Sequence, residues 1–482
     1  MNLFKSLNLT ISSIAISLAA LVSAPAPVHA EPDFGSIGVS APDDSVQIYL
    51  MTVGIGDQIY ARFGHTMIRV VDPKKGQDAV YNWGMFDFAD PGFAWKFFKG
   101  VLLYRVGVQG YERTIEHYKD YEMRPLWQER LNLTLAQKKI LLDRIAWNMR
   151  PENVRYPYQY FTNNCATKPR DYLDEAVGGA IKAKYDREPS GKSWRWYVRQ
   201  YLNDNPVVGL GLEVLMNGDV DRKISQWDEM FFPPKLREGL LNLPAMDDNG
   251  RPDAGGRMLL GDTVQLVKLP EAASGDRNSF VLAQMLFGIP VFFFFAAMVG
   301  VGGIRRTLAR SHPEQWTGRV AWATLDASHR LLVHIAQGCL GLGLCGWALL
   351  SGSLGTLQIA SWMLSSHTDL HHNANLWLFW PTDFLFFIVG WRSIRNALRG
   401  SIKRRAILSN SVRFYSGLHV MALVTMVAFR KLNFIGQDVD RVLYNMGILG
   451  GFIYAASWLG MMDFILKPAS PVEPAQVDDA SE

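Results

Sequence analysis

The chain alternates between two kinds of hydrophobic pattern. Val46–Val53, Thr66–Val71 and Ala79–Trp83 follow the two-residue period of strands, with turn signals at Gly54, Gly56 and Asp72–Gly76 between them. The pattern then lengthens to a helical period. Thr134 and Gln137 have the spacing of a capping box, and Leu135, Leu141, Leu142 and Ile145 recur behind them until Pro151. A second helix is expected from near Cys165 to Val177, stopped by Gly178 and Gly179. Residues 31–244 therefore read as an α+β domain with strands in front and helices behind. The turn-rich stretch 245–279 reads as a linker.

From residue 280 the pattern changes to continuous apolar runs. Phe280–Ile304 contains no charged residue, and further spans are expected near 331–350, 376–391, 411–429 and 442–462, with a short polar tail over 464–482. The third run is the weakest, because it holds Pro381 and Asp383. Basic residues alternate between the loops: five Lys and Arg in 305–330, none in 351–375, seven in 392–413 and three in 430–441. That asymmetry puts 305–330 and 392–413 in the cytoplasm and residues 31–279 outside. The first thirty residues point the same way. Lys5, the apolar run Ile11–Val22 and the small-residue ending Val28-His29-Ala30 read as a secretory signal peptide.

Composition adds less. Apolar residues are 49% and charged residues 20% of 482, a globular average over two unlike halves. A net charge of +4 does not suggest a nucleic-acid binder.

Cysteine changes the picture more. Of Cys165, Cys339 and Cys345, two fall in the second expected span, so Cys165 has no disulfide partner in the exported domain. It follows Asn163-Asn164 at an expected helix start, where unpaired backbone N–H groups favour a thiolate. A thiolate nucleophile needs a base. The domain offers His117, in a charged helical stretch suited to a solvated face, and His65, behind Gly64 at the mouth of a strand. The expected pair is His65 with Cys165. Asn82 or Asp87, on or just after the next strand, is expected to orient the imidazole.

Three blocks carry a resemblance: Gly64-His65 with Ile68-Arg69; Tyr81-Asn82 with Gly84, Phe86, Asp87 and Phe88; and Phe161 with Asn163-Asn164-Cys165, Thr167 and Arg170-Asp171. Together they resemble the Lnb family of lipoprotein N-acyltransferases, whose N-terminal periplasmic domain precedes membrane spans. The resemblance continues more weakly into Asn373, Asn375, Leu376 and Pro381. A strand His followed by a helix-start Cys is also similar to circularly permuted papain-like enzymes, including the lecithin retinol acyltransferase group.

The resemblance implies a permuted papain-like core carrying a Cys–His acyl-transfer site in the inner membrane of a bacterium. Cys165 would be the nucleophile and His65 the base, with Asn163, Asn164, Arg69 and Arg170 contacting substrate. Helix-start amides would hold the oxyanion. The expected substrates are a phospholipid acyl donor and diacylated lipoproteins as acceptors, both presented by the bilayer, with no cofactor and no metal. A papain-like cell-wall peptidase or amidase is the alternative with the same dyad, and a non-enzymatic membrane module is the other. His367, Asp369, His371 and His372 lie in a loop whose imidazoles and carboxylate suit either a metal site or a positioning role, and positioning is the expectation.

Overall fold

The computed structural model describes residues 42–86, 91–202, 205–275, 280–311, 326–399 and 410–459. The expected signal peptide, Asp87 and the polar tail lie outside the described residues. The chain forms two compact units, residues 1–202, 222–276 and 364–368 in the first and the remainder in the second.

The first unit is built on a seven-stranded antiparallel sheet. Its strands are β1 (Gln47–Val53), β2 (His65–Asp72), β3 (Gln77–Met85), β4 (Leu103–Gly110), β5 (Leu126–Leu131), β6 (Arg155–Pro157) and β9 (Leu260–Val267), in the order β6-β4-β3-β2-β1-β5-β9. A separate two-stranded sheet pairs β7 (Pro189–Ser193) with β8 (Lys223–Ser225). The alternation that predicts β1, β2 and β3 works because successive side chains point to opposite faces, and both faces of these strands are covered. Ile48, Leu50, Ile68, Tyr81 and Trp83 pack with Leu141, Ile145, Tyr172, Leu173 and Leu236 on one side. Met51, Val53, Met67 and Val80 pack with Tyr118 and Leu126 on the other.

The capping box forms as its spacing predicts. Gln137 N–H donates to Thr134 Oγ1 at 3.2 Å and Thr134 N–H donates to Gln137 Oε1 at 3.1 Å, starting the helix Leu135–Asn148. Asn148 at its end accepts from Trp83 Nε1 (2.8 Å) and from the Tyr172 hydroxyl (2.7 Å). One buried amide oxygen thus ties β3 to this helix and to the helix Thr167–Ala176, which follows Cys165.

The stretch expected as a linker is not one. Residues 245–275 belong to the first unit, and β9 pairs with β5 from Leu126↔Val267 to Leu131↔Leu260. Its turn-rich segment only delivers the chain to the sheet edge. Residues 203–221, with the helix Pro206–Leu215, belong to the second unit.

Among the described residues, three helices are long and apolar enough to cross a membrane: Val281–Ile304 within the helix Phe280–Ser311, Ala327–Leu364 and Asn410–Lys431. The second outruns its expected span of 331–350; at 1.5 Å per residue its 38 residues extend about 57 Å. The third expected span is not one continuous helix. It begins as two 3-10 turns, Ala374–Trp377 and Pro381–Phe384, before the helix Leu385–Arg399. Pro381 removes a backbone donor and suits a first turn. The fifth is interrupted by a π-helical turn at Leu443–Gly447.

Asp383 explains how a carboxylate is accommodated in this unit. It is fully buried and receives the Tyr415 hydroxyl on Oδ1 (2.8 Å) and the Tyr454 hydroxyl on Oδ2 (2.8 Å), with Ser351 also on Oδ2. His419 Nε2 lies 2.8 Å from Oδ1. Asn373 and Asn375, from the family-like block, are buried as well. Both side-chain amides donate to Val214 O at 2.9 Å, satisfying a carbonyl at the end of the helix Pro206–Leu215.

Glycines let two helices touch backbone to backbone. A Cβ on Gly341 would lie 2.6 Å from Gly390 O, and one on Gly390 would lie 2.7 Å from Gly341 O. Small residues serve close packing where the hydrophobic effect between helices is absent. Gly341→Leu is expected to lower the thermal midpoint of detergent-solubilised protein, with overpacking costing about 1–3 kcal/mol. An unchanged midpoint would show that the two helices separate freely.

Candidate active site

His65 is the first residue of β2, and its position depends on the glycine before it. Gly64 has φ +79, and a Cβ there would sit 2.8 Å from Val53 O. Arg62, buried at 2% exposure, secures the approach by donating to the carbonyls of Tyr201 (2.7 Å), Ala273 (2.8 Å) and Gly56 (3.2 Å).

Asn82 lies on β3, where it is the register partner of Met67. His65 and Met67 point to one face of β2, so the Asn82 side chain reaches the imidazole diagonally. Its Oδ1 is 2.5 Å from His65 Nε2. A carbonyl oxygen accepts only, so Nε2 carries the proton and Nδ1 is the basic nitrogen. Burial pushes the imidazole down to about 4, against an opposing contribution from the Asn82 hydrogen bond. The ring is neutral at neutral pH.

Cys165 precedes the helix Thr167–Ala176 by two residues instead of opening it. Asn164 causes the offset. Its Oδ1 accepts from the N–H groups of Ala166 and Thr167, both at 2.9 Å, while Asn164 N–H donates to Thr167 Oγ1 at 2.7 Å. Its Nδ2 donates to the carbonyls of Tyr160 and Phe231, both at 2.9 Å. The helix-start amides expected for an oxyanion are therefore already occupied by Asn164, leaving the N–H of Cys165 itself.

The thiol also meets the Thr66 backbone N–H and the Tyr158 hydroxyl. Thr66 is the neighbour of His65, so the fold brings Cys165 to the His65 end of β2. The register of β3 shifts between Asn82 and Met85, and Gly84 adopts φ +85. A Cβ on Gly84 would lie 3.4 Å from the Tyr158 ring and 3.6 Å from Cys165 Cβ, so the bulge opens space for both. Burial pushes the thiol up to about 11, outweighing the donors aimed at it. Protonated thiol and neutral imidazole form the resting pair.

The remaining sequence-derived positions serve other contacts. Arg69 donates to both carboxylate oxygens of Asp78 (2.7 and 2.6 Å) and to Gln128 (2.9 Å), and stacks over Tyr111 at 3.3 Å. Arg170 is buried, bound to Asp171 (2.7 Å) and Trp227 O (2.9 Å) and stacked on the Trp227 ring. Asn163 donates to Pro157 O at 2.7 Å and bridges back to Gln159. The Asn163 and Arg170 contacts brace the segments flanking Cys165, whereas Arg69 ties β2 to β3 and β5. His117 lies 3.2 Å from Glu122. Burial opposes ionisation of Glu122, yet His117 and Arg124 hold it down to about 2.

Sequence reasoning missed Thr66 and Tyr158, and it singled out the His367 loop without placing it beside Tyr158. Tyr158 and Tyr160 did stand at alternate positions just before the cysteine, which was the available signal. Among the described residues, no three His, Cys, Asp or Glu side chains converge as metal ligands.

Residues 39–200 match the family described as the Lnb N-terminal periplasmic domain. The Gly-His and Asn-Asn-Cys blocks both lie inside the matched region. No curated protein matches the chain, and no solved structure does.

Proposed function

We propose that the protein is a membrane-bound N-acyltransferase that moves a fatty acyl chain from a phospholipid to the N-terminal cysteine amine of diacylated lipoproteins. The observation that carries this reading is the Cys165 thiol lying against the Thr66 amide, next to a His65 whose Nε2 is held by Asn82. It lies in a region matching the Lnb N-terminal periplasmic domain, and three helices among the described residues are apolar enough to cross a membrane. Both substrates are bilayer amphiphiles, which gives those helices a purpose. The distribution of basic residues among the loops supports placing the first unit on the periplasmic side of the inner membrane.

In the proposed reaction His65 Nδ1 takes the thiol proton as Sγ attacks the donor ester carbonyl. The C–O bond then breaks, and the leaving alkoxide takes that proton from the imidazolium. The result is a thioester on Cys165 and a lysolipid. The acceptor amine, deprotonated, next attacks the thioester. The C–S bond breaks, the sulfur regains a proton, and the amide is complete. Splitting ester-to-amide exchange in two suits a thioester, which is reactive towards amines. The N–H groups of Cys165 and Thr66 stand nearest the sulfur and are the oxyanion donors of this reading. Asn82 keeps His65 in the tautomer whose basic nitrogen is Nδ1.

Mass spectrometry of lipoprotein N-terminal peptides, with and without the protein, tests this function. The expected result is an N-acyl group that appears only with the protein. Cleaved cell-wall peptides with unmodified lipoproteins would replace the proposal with the peptidase reading.

A further inference from the structure

Beside the thiol lies a narrow cleft of about 210 Å³, counted to its open mouth and lined by Phe97, Leu102, Tyr104, Tyr158, Tyr160 and His367. Tyr158 is the wall it shares with Cys165. The segment Leu364–Thr368 belongs to the first unit and supplies His367. It is held there by the end of the helix Phe93–Phe98, whose last carbonyls have no partner within the helix. Ser365 Oγ donates to Phe98 O (2.7 Å), Ser366 N–H to Lys99 O (2.8 Å) and His367 Nε2 to Phe97 O (3.1 Å). Gly100 makes room, since a Cβ there would be 3.1 to 3.2 Å from the imidazole.

The bond to Phe97 O fixes the tautomer. Nε2 donates, so Nδ1 presents a bare lone pair, and this Nδ1 is buried without a hydrogen-bond partner in a residue only 9% exposed. An unmet buried acceptor costs stability unless a ligand supplies a donor. The His367 ring lines the cleft together with Phe97, Tyr158 and Tyr160, its centroid 6.4 Å from Phe97 and 6.0 Å from Tyr160. Aromatic faces attract cations. The enclosed space of the cleft is about that of a single water molecule, so it admits an end group rather than an acyl chain. An ester carbonyl, being an acceptor, would face the Nδ1 lone pair unfavourably. A primary ammonium meets both demands.

We propose that this cleft is the binding site for the primary ammonium group of a substrate, with His367 Nδ1 accepting from it and the aromatic rings enclosing it. The inference rests on the acyltransferase reading, which has two sources of such a group: the α-amine of the acceptor lipoprotein and the headgroup of an ethanolamine phospholipid donor.

The test separates the two half-reactions in the full-length protein. Thioester formation is followed with phosphatidylethanolamine or phosphatidylglycerol vesicles, and its discharge with a diacylglyceryl-cysteine peptide or with hydroxylamine. His367→Phe keeps an aromatic ring but removes the acceptor. It is expected to raise the KM for the amine-bearing substrate about tenfold. Loss confined to the peptide step identifies the acceptor amine, and loss confined to phosphatidylethanolamine identifies the headgroup. Phosphatidylglycerol and hydroxylamine should react as with wild type. His367→Gln supplies a donor for Phe97 O and an acceptor oxygen, and should restore most of the affinity. Ser365→Ala, which loosens the segment that carries His367, should raise the KM for the same substrate by a smaller factor. Equal losses for all four reactants, or none, would overturn the inference. Absence of any wild-type thioester would instead overturn the acyltransferase reading.

Discussion

Cys165→Ser is expected to abolish N-acylation, by about a thousandfold or more, while the protein still folds and inserts. The substitution changes one atom at a buried position and leaves the Asn164 bonds that hold the loop, so packing is nearly conserved. What disappears is the nucleophile. An alkoxide is far harder to generate than a thiolate with an imidazole already depressed by burial. Incubated with donor vesicles, wild-type protein should carry an acyl group that neutral hydroxylamine releases, and the variant should carry none. Full activity in Cys165→Ser would remove the thioester from the mechanism.

The second large effect is expected at His65, and it has a pH signature. His65→Ala should lower kcat/KM by about 100- to 10,000-fold. In the wild type the imidazole is held down to about 4 by burial, so the base remains unprotonated well below the usual histidine range. The acid limb of the kcat/KM profile should therefore lie near pH 4. The thiol is pushed up to about 11, so no thiolate–imidazolium pair is present at rest. Alkylation of Cys165 by iodoacetamide should be slow at pH 7 and rise into the alkaline range. A plateau of fast alkylation below pH 7 would contradict this resting state.

The same depression affects stability, and its sign follows from linkage. The folded imidazole titrates near 4 and the unfolded one at its ordinary 6.5, so as pH falls between them the unfolded chain takes the proton first. Stability contributed by keeping His65 neutral is whole above 6.5 and lost towards 4. His65→Ala should flatten the fall in thermal midpoint across that window.

Much of this was legible in residue order. Local period determined β1, β2 and β3, because a strand covered on both faces still alternates its neighbours. The Thr134–Gln137 cap is a local hydrogen-bond pattern and needs no tertiary help. A single exported cysteine and few histidines pointed to Cys165 and His65 by elimination, and the next strand offered Asn82 or Asp87 to orient the imidazole, of which the structure pairs Asn82.

Other features depended on side chains distant in sequence. Residues 245–275 look like a linker because turn residues dominate them, yet β5 needed an edge partner and β9 supplies one. Arg69 and Arg170 look available for substrate until Asp78, Gln128, Asp171 and Trp227 are seen to use them. Asn164 consumes the helix-start amides, which no spacing rule announces. His367 is more than two hundred residues from Tyr160 in the chain, and the carbonyls ending the helix Phe93–Phe98 hold its segment beside that residue. The sequence by itself determined which chemistry is present, since residue type and local period carry that. Tertiary structure decided which groups remain free to perform it, because hydrogen-bond capacity is allotted only when distant segments meet.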